Sequence, residues 1–360
     1  MGWADNQPCG PWCTLNVGVF LPNWIGDAVM ATPTLRALRR HFGRDARFVG
    51  VMKPHIAEVL QGTPWLDDIW LYDRDATDSS IRSWAVTRRM YAFGFGLIVL
   101  LPNTFRPALM AWLSRARNRV GYARYKRGPL LTIKLYPPAS DGRLTPYSTL
   151  DYYLQLAYAL GCPQEIPRME LATTIQDEMA ADRVWHDLRL PDNGRVVTFN
   201  SSGAFGGAKL WPDAYFSELA RRVVSELGYN VLILCGPGER ERAAQIARMA
   251  GRSGVVSLAD QHLSIGLSKA CVRRSQLLVT TDSGPRHFAA AFNVPVIALF
   301  GPTHIGWSDT HYSKEVHLQI PVDCGPCQQR VCPLGHHKCM TDLGVDRVYR
   351  AVSATLERTS

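Results

Sequence analysis

Four loops in this chain carry residues able to do chemistry, and each follows an apolar run. The sharpest is Thr280-Thr281-Asp282-Ser283-Gly284-Pro285-Arg286-His287. Pro285 suits the first turn of a helix, where its missing N–H costs nothing. Free amides and the positive end of the helix dipole then face whatever docks there, and a diphosphate gains from both. His287, one turn in, reaches the same ligand or packs structurally. The second loop is Asn200-Ser201-Ser202-Gly203-Ala204-Phe205-Gly206-Gly207-Ala208-Lys209. Its glycines, hydroxyls and terminal lysine suit a phosphate-bearing ligand, although it lacks the Walker spacing; the plainer reading is a flexible surface loop. In Leu234-Cys235-Gly236-Pro237-Gly238-Glu239, Glu239 serves either to accept hydrogen bonds from ribose hydroxyls or to complement a helix dipole. In Leu21-Pro22-Asn23-Trp24-Ile25-Gly26-Asp27, Gly26 allows a close backbone approach. Asp27 opens the next helix, where an N-cap is the competing role.

Strands must end just before these loops and helices begin just after them. Apolar runs predict strands at Leu15 to Leu21, Arg47 to Met52, Ile69 to Tyr72, Leu97 to Leu101 and Arg119 to Tyr122. Helical spacing runs from Asp27 onward and through Ser79 to Ala92, Pro107 to Ser114, Leu150 to Leu160 and Asp177 to Asp187. The pattern restarts after a turn at Pro191-Asp192-Asn193-Gly194. Strands follow at Arg195 to Phe199, Asn230 to Leu234, Gln276 to Thr280 and Pro295 to Phe300. Helices follow at Asp213 to Leu227, Glu239 to Met249, Gly284 to Phe292 and Gly344 to Glu357. Such alternation predicts two open α/β units with parallel sheets, joined between about Cys162 and Gly194, with a cleft between their strand ends.

A chain of 360 residues can hold two cores, and 46% hydrophobic with 20% charged residues is a folded-protein composition that excludes disordered and fibrous classes. The longest apolar runs, Leu97 to Leu101 and Val294 to Phe300, have strand length, so no membrane span is expected. The first residues lack a basic region and are broken by Pro8, Gly10 and Pro11, which argues against a cleaved secretion signal. The net charge of +9 is concentrated. Phe105 to Ser140 holds eight basic residues, Arg106, Arg115, Arg117, Arg119, Arg124, Lys126, Arg127 and Lys134, and no acidic one. That window suits a polyanion or an anionic membrane face, or is a solvated surface without a dedicated ligand.

Nine cysteines, an odd number, point to a reducing compartment. Cys324, Cys327, Cys332 and Cys339 cluster beside His336 and His337 with spacing like that of a metal site. Structural zinc and metal-free thiols or disulfides both remain open.

Taken together, Asn23-Trp24-Ile25-Gly26-Asp27, Leu101-Pro102-Asn103-Thr104-Phe105, Gly203-Ala204-Phe205 with Lys209-Leu210-Trp211-Pro212, Thr281-Asp282-Ser283-Gly284 with His287, and Phe300-Gly301-Pro302-Thr303 resemble the lipopolysaccharide heptosyltransferases of glycosyltransferase family nine, most closely the heptosyltransferase II group. The resemblance runs from about Leu15 to Phe300. It implies a GT-B type α/β fold, two Rossmann-like domains with parallel sheets facing across a cleft. An acceptor-binding domain would span residues 14–170 and a nucleotide-sugar-binding domain 190–345, with a Cys-rich segment at 324–339 and a terminal helix at 344–357. It further implies transfer of heptose from ADP-heptose, with inversion, to the inner core of lipopolysaccharide. Asp27 is the implied base and Asp282 its rival. Donor contacts fall on Ser201, Ser202, Lys209, Glu239, Asp282, Ser283, Gly284 and His287. Acceptor contacts fall on Asn103, Arg106, Arg124 and Lys126.

No cofactor is required by that reading beyond the possible structural zinc. The partners are the donor, an anionic glycolipid acceptor and, peripherally, the inner face of the cytoplasmic membrane from the cytoplasmic side; no nucleic acid is expected. Many relatives carry leucine where Pro285 stands, and Arg286 is expected to add charge beside the diphosphate. Another nucleotide sugar or acceptor is the nearest alternative. A dehydrogenase is disfavoured because no G-x-G-x-x-G follows Leu15 to Leu21. A zinc-stabilised nucleic-acid-binding protein would leave the four loops without a purpose.

Overall fold

The computed structural model describes residues 15–140, 142–203 and 206–359. Cys9 and Cys13, and Ala204-Phe205 of the second loop, lie outside the described residues. The first half builds a sheet from β1 (Asn16–Phe20), β2 (Arg47–Met52), β3 (Asp68–Leu71), β4 (Leu97–Leu100), β5 (Asn118–Tyr122) and β6 (Ile133–Leu135), ordered β3-β2-β1-β4-β5-β6 and parallel throughout. A short antiparallel pair follows, β7 (Ala139–Ser140) with β8 (Arg143–Leu144). The second half repeats the plan with β9 (Val196–Asn200), β10 (Asn230–Leu234), β11 (Val255–Ser257), β12 (Leu277–Thr281), β13 (Val296–Phe300) and β14 (Glu315–Gln319), ordered β11-β10-β9-β12-β13-β14 and again parallel. The two sheets share one topology, the doubly wound order of the Rossmann fold. Central strands such as Leu97-Ile98-Val99-Leu100 are buried on both faces, which is why they read as unbroken apolar runs.

Helices α1 (Ile25–Met30), α2 (Thr32–Phe42), α3 (Pro54–Leu60), α4 (Ser83–Phe93), α5 (Phe105–Leu113) and α6 (Thr149–Tyr158) accompany the first sheet. α7 (Ile175–Asp187), α8 (Asp213–Leu227), α9 (Arg240–Ala250), α10 (Ile265–Arg273), α11 (Gly284–Ala291), α12 (Lys338–Thr341) and α13 (Val345–Thr359) accompany the second. α7 packs on α10, with Arg274 paired to Glu178 at 2.8 Å, and α13 packs on α8, with Arg222 paired to Asp346 at 2.7 Å. One apolar cluster runs through both halves, and a second, around Phe20, Trp70, Met90 and Ile98, lies where α4 and α5 cover the first sheet.

The single helix expected from Asp27 onward is broken. Pro33 has no N–H to give the carbonyl of Val29, so the chain jogs at Ala31 and the Thr32 hydroxyl takes that carbonyl at 2.8 Å. Strands β6, β11 and β14 and helices α3 and α10 lie beyond the expected elements. β6 and β11 are three residues long, too short to show a period, and in β14 Glu315, His317 and Gln319 interrupt the apolar residues.

Candidate active site

The strand order reverses between β9 and β12, and a crevice opens at their carboxyl ends, as in other open α/β sheets. Asn200, the last residue of β9, spans it: its amide donates to Thr280 Oγ1 at 2.9 Å and to Ser283 Oγ at 2.7 Å. The Thr281 hydroxyl donates to the Ser202 carbonyl. Lys209, buried in a short 3-10 turn, donates from Nζ to the Asp282 carbonyl at 3.0 Å and pairs with Asp282 Oδ2 at 2.5 Å. Thr303 Oγ1 donates to the same carboxylate at 2.8 Å, and Arg286 Nη1 approaches its other oxygen at 3.2 Å. The loops after β9 and β12 are thus held as one unit.

Arg286 does not stand beside the crevice. It is fully buried, bound through Nε to Glu315 and through Nη2 to the Ser308 carbonyl at 2.7 Å, over the Phe300 ring. The expectation that it adds charge at the diphosphate is corrected: Glu315, on the unforeseen β14, draws it inward.

The opposite wall comes from the first half. The N-terminal turn of α1 meets that of α11. A β-carbon on Gly26 would lie 2.6 Å from His287 Cδ2, and one on Gly284 would lie 3.0 Å from Ile25 Cγ2. Only hydrogen-sized side chains permit this approach. It brings Asp27 to face Lys209, Asp282, Ser283 and His287 across a cleft of about 390 Å³ that Ser202, Gly284 and Thr303 also line. A second cavity of about 190 Å³, lined by Asn103, Arg124, Tyr147 and Tyr152, adjoins it; Asp27, Thr149 and Trp307 line both. Asp27 therefore stands at the border of two compartments.

Electrostatics separate the two carboxylates. Burial, reinforced by the Asp282 charge and opposed by Lys209, raises Asp27 to a pKa of about 6. Among the described residues, no hydrogen bond to its carboxylate is found. Burial also disfavours the Asp282 charge, but Lys209 and Arg286 overcome it and hold that carboxyl far below the usual range. Burial and the neighbouring Arg286 push His287 down to about 3, so its ring is neutral at pH 7; Nδ1 has no partner among the described residues.

Of the sequence candidates, Asp27, Ser202, Lys209, Asp282, Ser283, Gly284 and His287 meet in the larger cleft, and Asn103 and Arg124 in the adjoining one. Others lie apart. Ser201 is buried, its carbonyl held by Arg242 at 2.8 Å. Glu239 accepts the Gly236 N–H at 2.9 Å and lies off the cleft. Arg106 lines a separate pocket of about 290 Å³ with Lys53 and Arg74, and Lys126 is exposed. From the basic window, Arg127 is buried rather than on the surface, giving its guanidinium to the carbonyls of Tyr122, Pro102 and Thr104 and to Asn103 Oδ1. Thr149, Trp307, Ser308 and Gln328 complete the cleft wall without any sequence signal. Gln328 belongs to the Cys-rich segment, whose Arg330 carbonyl accepts the Ala208 N–H at 3.1 Å beside Lys209.

The family model described as Glycosyltransferase family 9 (heptosyltransferase) matches residues 83–338. The lipooligosaccharide heptosyltransferase 2 of Campylobacter jejuni is 23% identical over 351 residues, covering 96% of this chain and 99% of that protein. Among solved structures, a glycosyl transferase family 9 protein of Veillonella parvula superposes with a TM-score of 0.81 at 21% identity, covering 96% of this chain and 97% of that one. The Escherichia coli ADP-heptose lps heptosyltransferase II does so with a TM-score of 0.77 at 20% identity, over 96% and 99%.

Proposed function

The chain belongs to glycosyltransferase family 9, and from that premise we propose that it transfers heptose from ADP-heptose, with inversion, to the inner core of a lipopolysaccharide acceptor. The observation that carries the residue assignment is the pair of opposed walls: a proton acceptor on one, a cation and helix-start amides on the other, across one cleft. Inversion requires in-line attack by an acceptor hydroxyl on the anomeric carbon as the C–O bond to ADP breaks. The hydroxyl proton passes to Asp27, whose pKa of about 6 leaves it mainly ionised yet basic at pH 7. Asp282 is a poor base because two cations hold its charge, and it positions Lys209 instead. The Lys209 ammonium, the Ser202 hydroxyl and the amides at Ser283 and Gly284 stabilise the departing diphosphate. The acceptor enters through the adjoining cavity, past Asn103 and Arg124.

The test is a thermal-shift panel of ADP, UDP and GDP followed by transfer from ADP-heptose to a core acceptor. ADP is expected to stabilise most. Preference for UDP or GDP would move the reading to another nucleotide sugar. Among the described residues, no helix is long and apolar enough to cross a membrane. A glycolipid acceptor places the working enzyme at the cytoplasmic face of the inner membrane.

A structural zinc is the finer reading of the Cys-rich segment. Cys324, Cys327, Cys332, Cys339 and His336 line one cavity of about 20 Å³, with Cys324 Sγ 3.9 Å from His336 Nε2. Among the described residues, no three ligand side chains already stand in a metal-holding arrangement, so binding would require these side chains to rearrange. The soft donor set suits zinc. Because the segment backs the Lys209 turn, metal removal is expected to weaken ADP binding. A zinc content near zero in the purified protein discards the reading.

A further inference from the structure

From Ser79 to Ser140 the chain holds eleven Lys and Arg residues and no Asp or Glu. The acid-free stretch therefore begins well before the basic window around α5 and takes in the whole of α4. Both helices cover the outer face of the first sheet and turn their small or apolar sides inward: Val86 and Met90 on α4, Pro107, Ala108, Met110 and Ala111 on α5. Their outer sides are not simply polar. α5 presents Phe105, Leu109, Trp112 and Leu113 along one stripe, with Phe105 46% and Trp112 49% exposed. α4 presents Trp84, 73% exposed, Arg88 and Tyr91, 53% exposed, at the same helical spacing.

The two stripes are neighbours. Arg106 donates to Ser83 Oγ at 3.2 Å near the start of both helices, and the Arg115 guanidinium lies over the Tyr91 ring at 5.5 Å near their ends. The result is one aromatic and aliphatic surface with Arg88 within it and Arg82, Arg115 and Arg117 beside it, all exposed. Scattered surface aromatics need no explanation, but a contiguous set does.

We propose that this α4–α5 face docks the enzyme on an anionic lipid bilayer, with Trp84, Phe105, Trp112 and Leu113 entering the headgroup boundary and the arginines meeting lipid phosphates. The chemistry favours a bilayer over a nucleic acid. Leu109 and Leu113 offer nothing to a base, whereas a membrane surface supplies negative charge and apolar depth together. Trp and Tyr suit that boundary because each has an apolar body and a polar edge. The face also adjoins the separate pocket of about 290 Å³ lined by Thr104, Arg106 and Pro107 at the start of α5, in the same half of the molecule as the acceptor cavity past Asn103 and Arg124. This inference rests on the reading of the acceptor as a glycolipid.

The experiment is co-sedimentation of the full chain with vesicles of phosphatidylglycerol and phosphatidylethanolamine, and with vesicles of phosphatidylcholine alone. Preference for the anionic vesicles is expected. Trp84→Ser with Trp112→Ser, and separately Arg88→Gln with Arg115→Gln, should each weaken binding on the order of tenfold. The arginine pair should also flatten the salt dependence. Equal binding to both vesicle types overturns the proposal, as does unchanged binding by the tryptophan pair. So does equally tight binding to duplex DNA that the same variants abolish. Transfer to a soluble, delipidated core oligosaccharide separates the two readings. If wild type and variants all transfer while no vesicle binding is found, docking fails and the heptosyl transfer stands. If the wild type binds vesicles but transfers to neither soluble nor vesicle-borne acceptor, the catalytic reading fails instead.

Discussion

Asp27 and Asp282 face one cleft under opposite fields, and the roles proposed for them rest on that contrast. Of two carboxyls pushed apart in pKa at one site, the one raised toward neutrality is fit to take a proton and the one held ionised is not. Asp27→Asn should lower kcat by about 10²- to 10⁴-fold at unchanged fold. In the wild type, kcat/KM should rise with pH through about 6, because the proposed base acts in its ionised form; the variant should lose that limb. Stability runs the other way. The folded chain keeps the Asp27 proton up to about pH 6, while an unfolded aspartate releases it near 3.8, so raising the pH through that window costs folding free energy. Asp27→Asn should therefore melt above wild type at pH 8, with the gap closing as pH falls below 4. A profile flat across pH 5 to 7 would remove Asp27 as the base. Asp282 has the opposite linkage: its depressed pKa stabilises the fold above the ordinary carboxylate range and is lost only in strong acid. Asp282→Asn leaves Lys209 and Arg286 buried with one partner fewer, and about 3–5 kcal/mol should disappear from the urea-extrapolated stability.

At the scale of elements, position depends on two glycines. α1 and α11 touch end to end because Gly26 leaves room for the His287 ring and Gly284 for Ile25. Gly26→Ala puts a methyl group where the ring stands, so one helix must move and Asp27 moves with it. A displacement of about 1 Å near the chemistry is enough to cost roughly 10²-fold. The variant should lose at least tenfold in kcat, and adding His287→Ala should recover part of it by reopening the space. If the double variant is no better than the product of the two single losses, the rings and helices are not coupled this way. Four strand-end loops were legible in the sequence because short apolar runs and Gly/Pro punctuation mark them directly. The partners that set each side chain were not. Arg286 reads as a charge at the diphosphate until Glu315 is known to lie on a neighbouring strand, and Arg127 reads as surface until the Pro102 and Thr104 carbonyls are seen beside it. Both depend on contacts between segments far apart in the chain, which local pattern does not encode.

For the whole molecule, two sheets of identical order supply the strand-end crevices, and the joint between them determines whether those crevices form one site. The joint has a polar pin. Lys269 on α10 is fully buried and donates from Nζ to the carbonyls of Val59 at 3.3 Å, Gln61 at 3.4 Å and Ala172 at 2.9 Å, with Asp177 at 3.9 Å. Val59 lies in the last turn of α3 and Gln61 caps its carboxyl end, where unpaired carbonyls and the helix dipole favour a cation. A second-half lysine thus closes a first-half helix, and burial lowers its pKa against the pull of Asp177. Lys269→Met fills similar space but leaves three carbonyls and a carboxylate without the ammonium, so about 2–4 kcal/mol should be lost and the urea midpoint should fall. The kinetic consequence is specific to the joint. In the proposed mechanism ADP is held by residues of the second half, whereas the base comes from the first. ADP should therefore stabilise the Lys269→Met variant about as much as wild type while kcat falls. Equal loss of ADP stabilisation would mean that the second half itself had been disturbed. Unchanged kcat and urea midpoint would mean that the apolar cluster running through both halves is sufficient to hold the cleft in register.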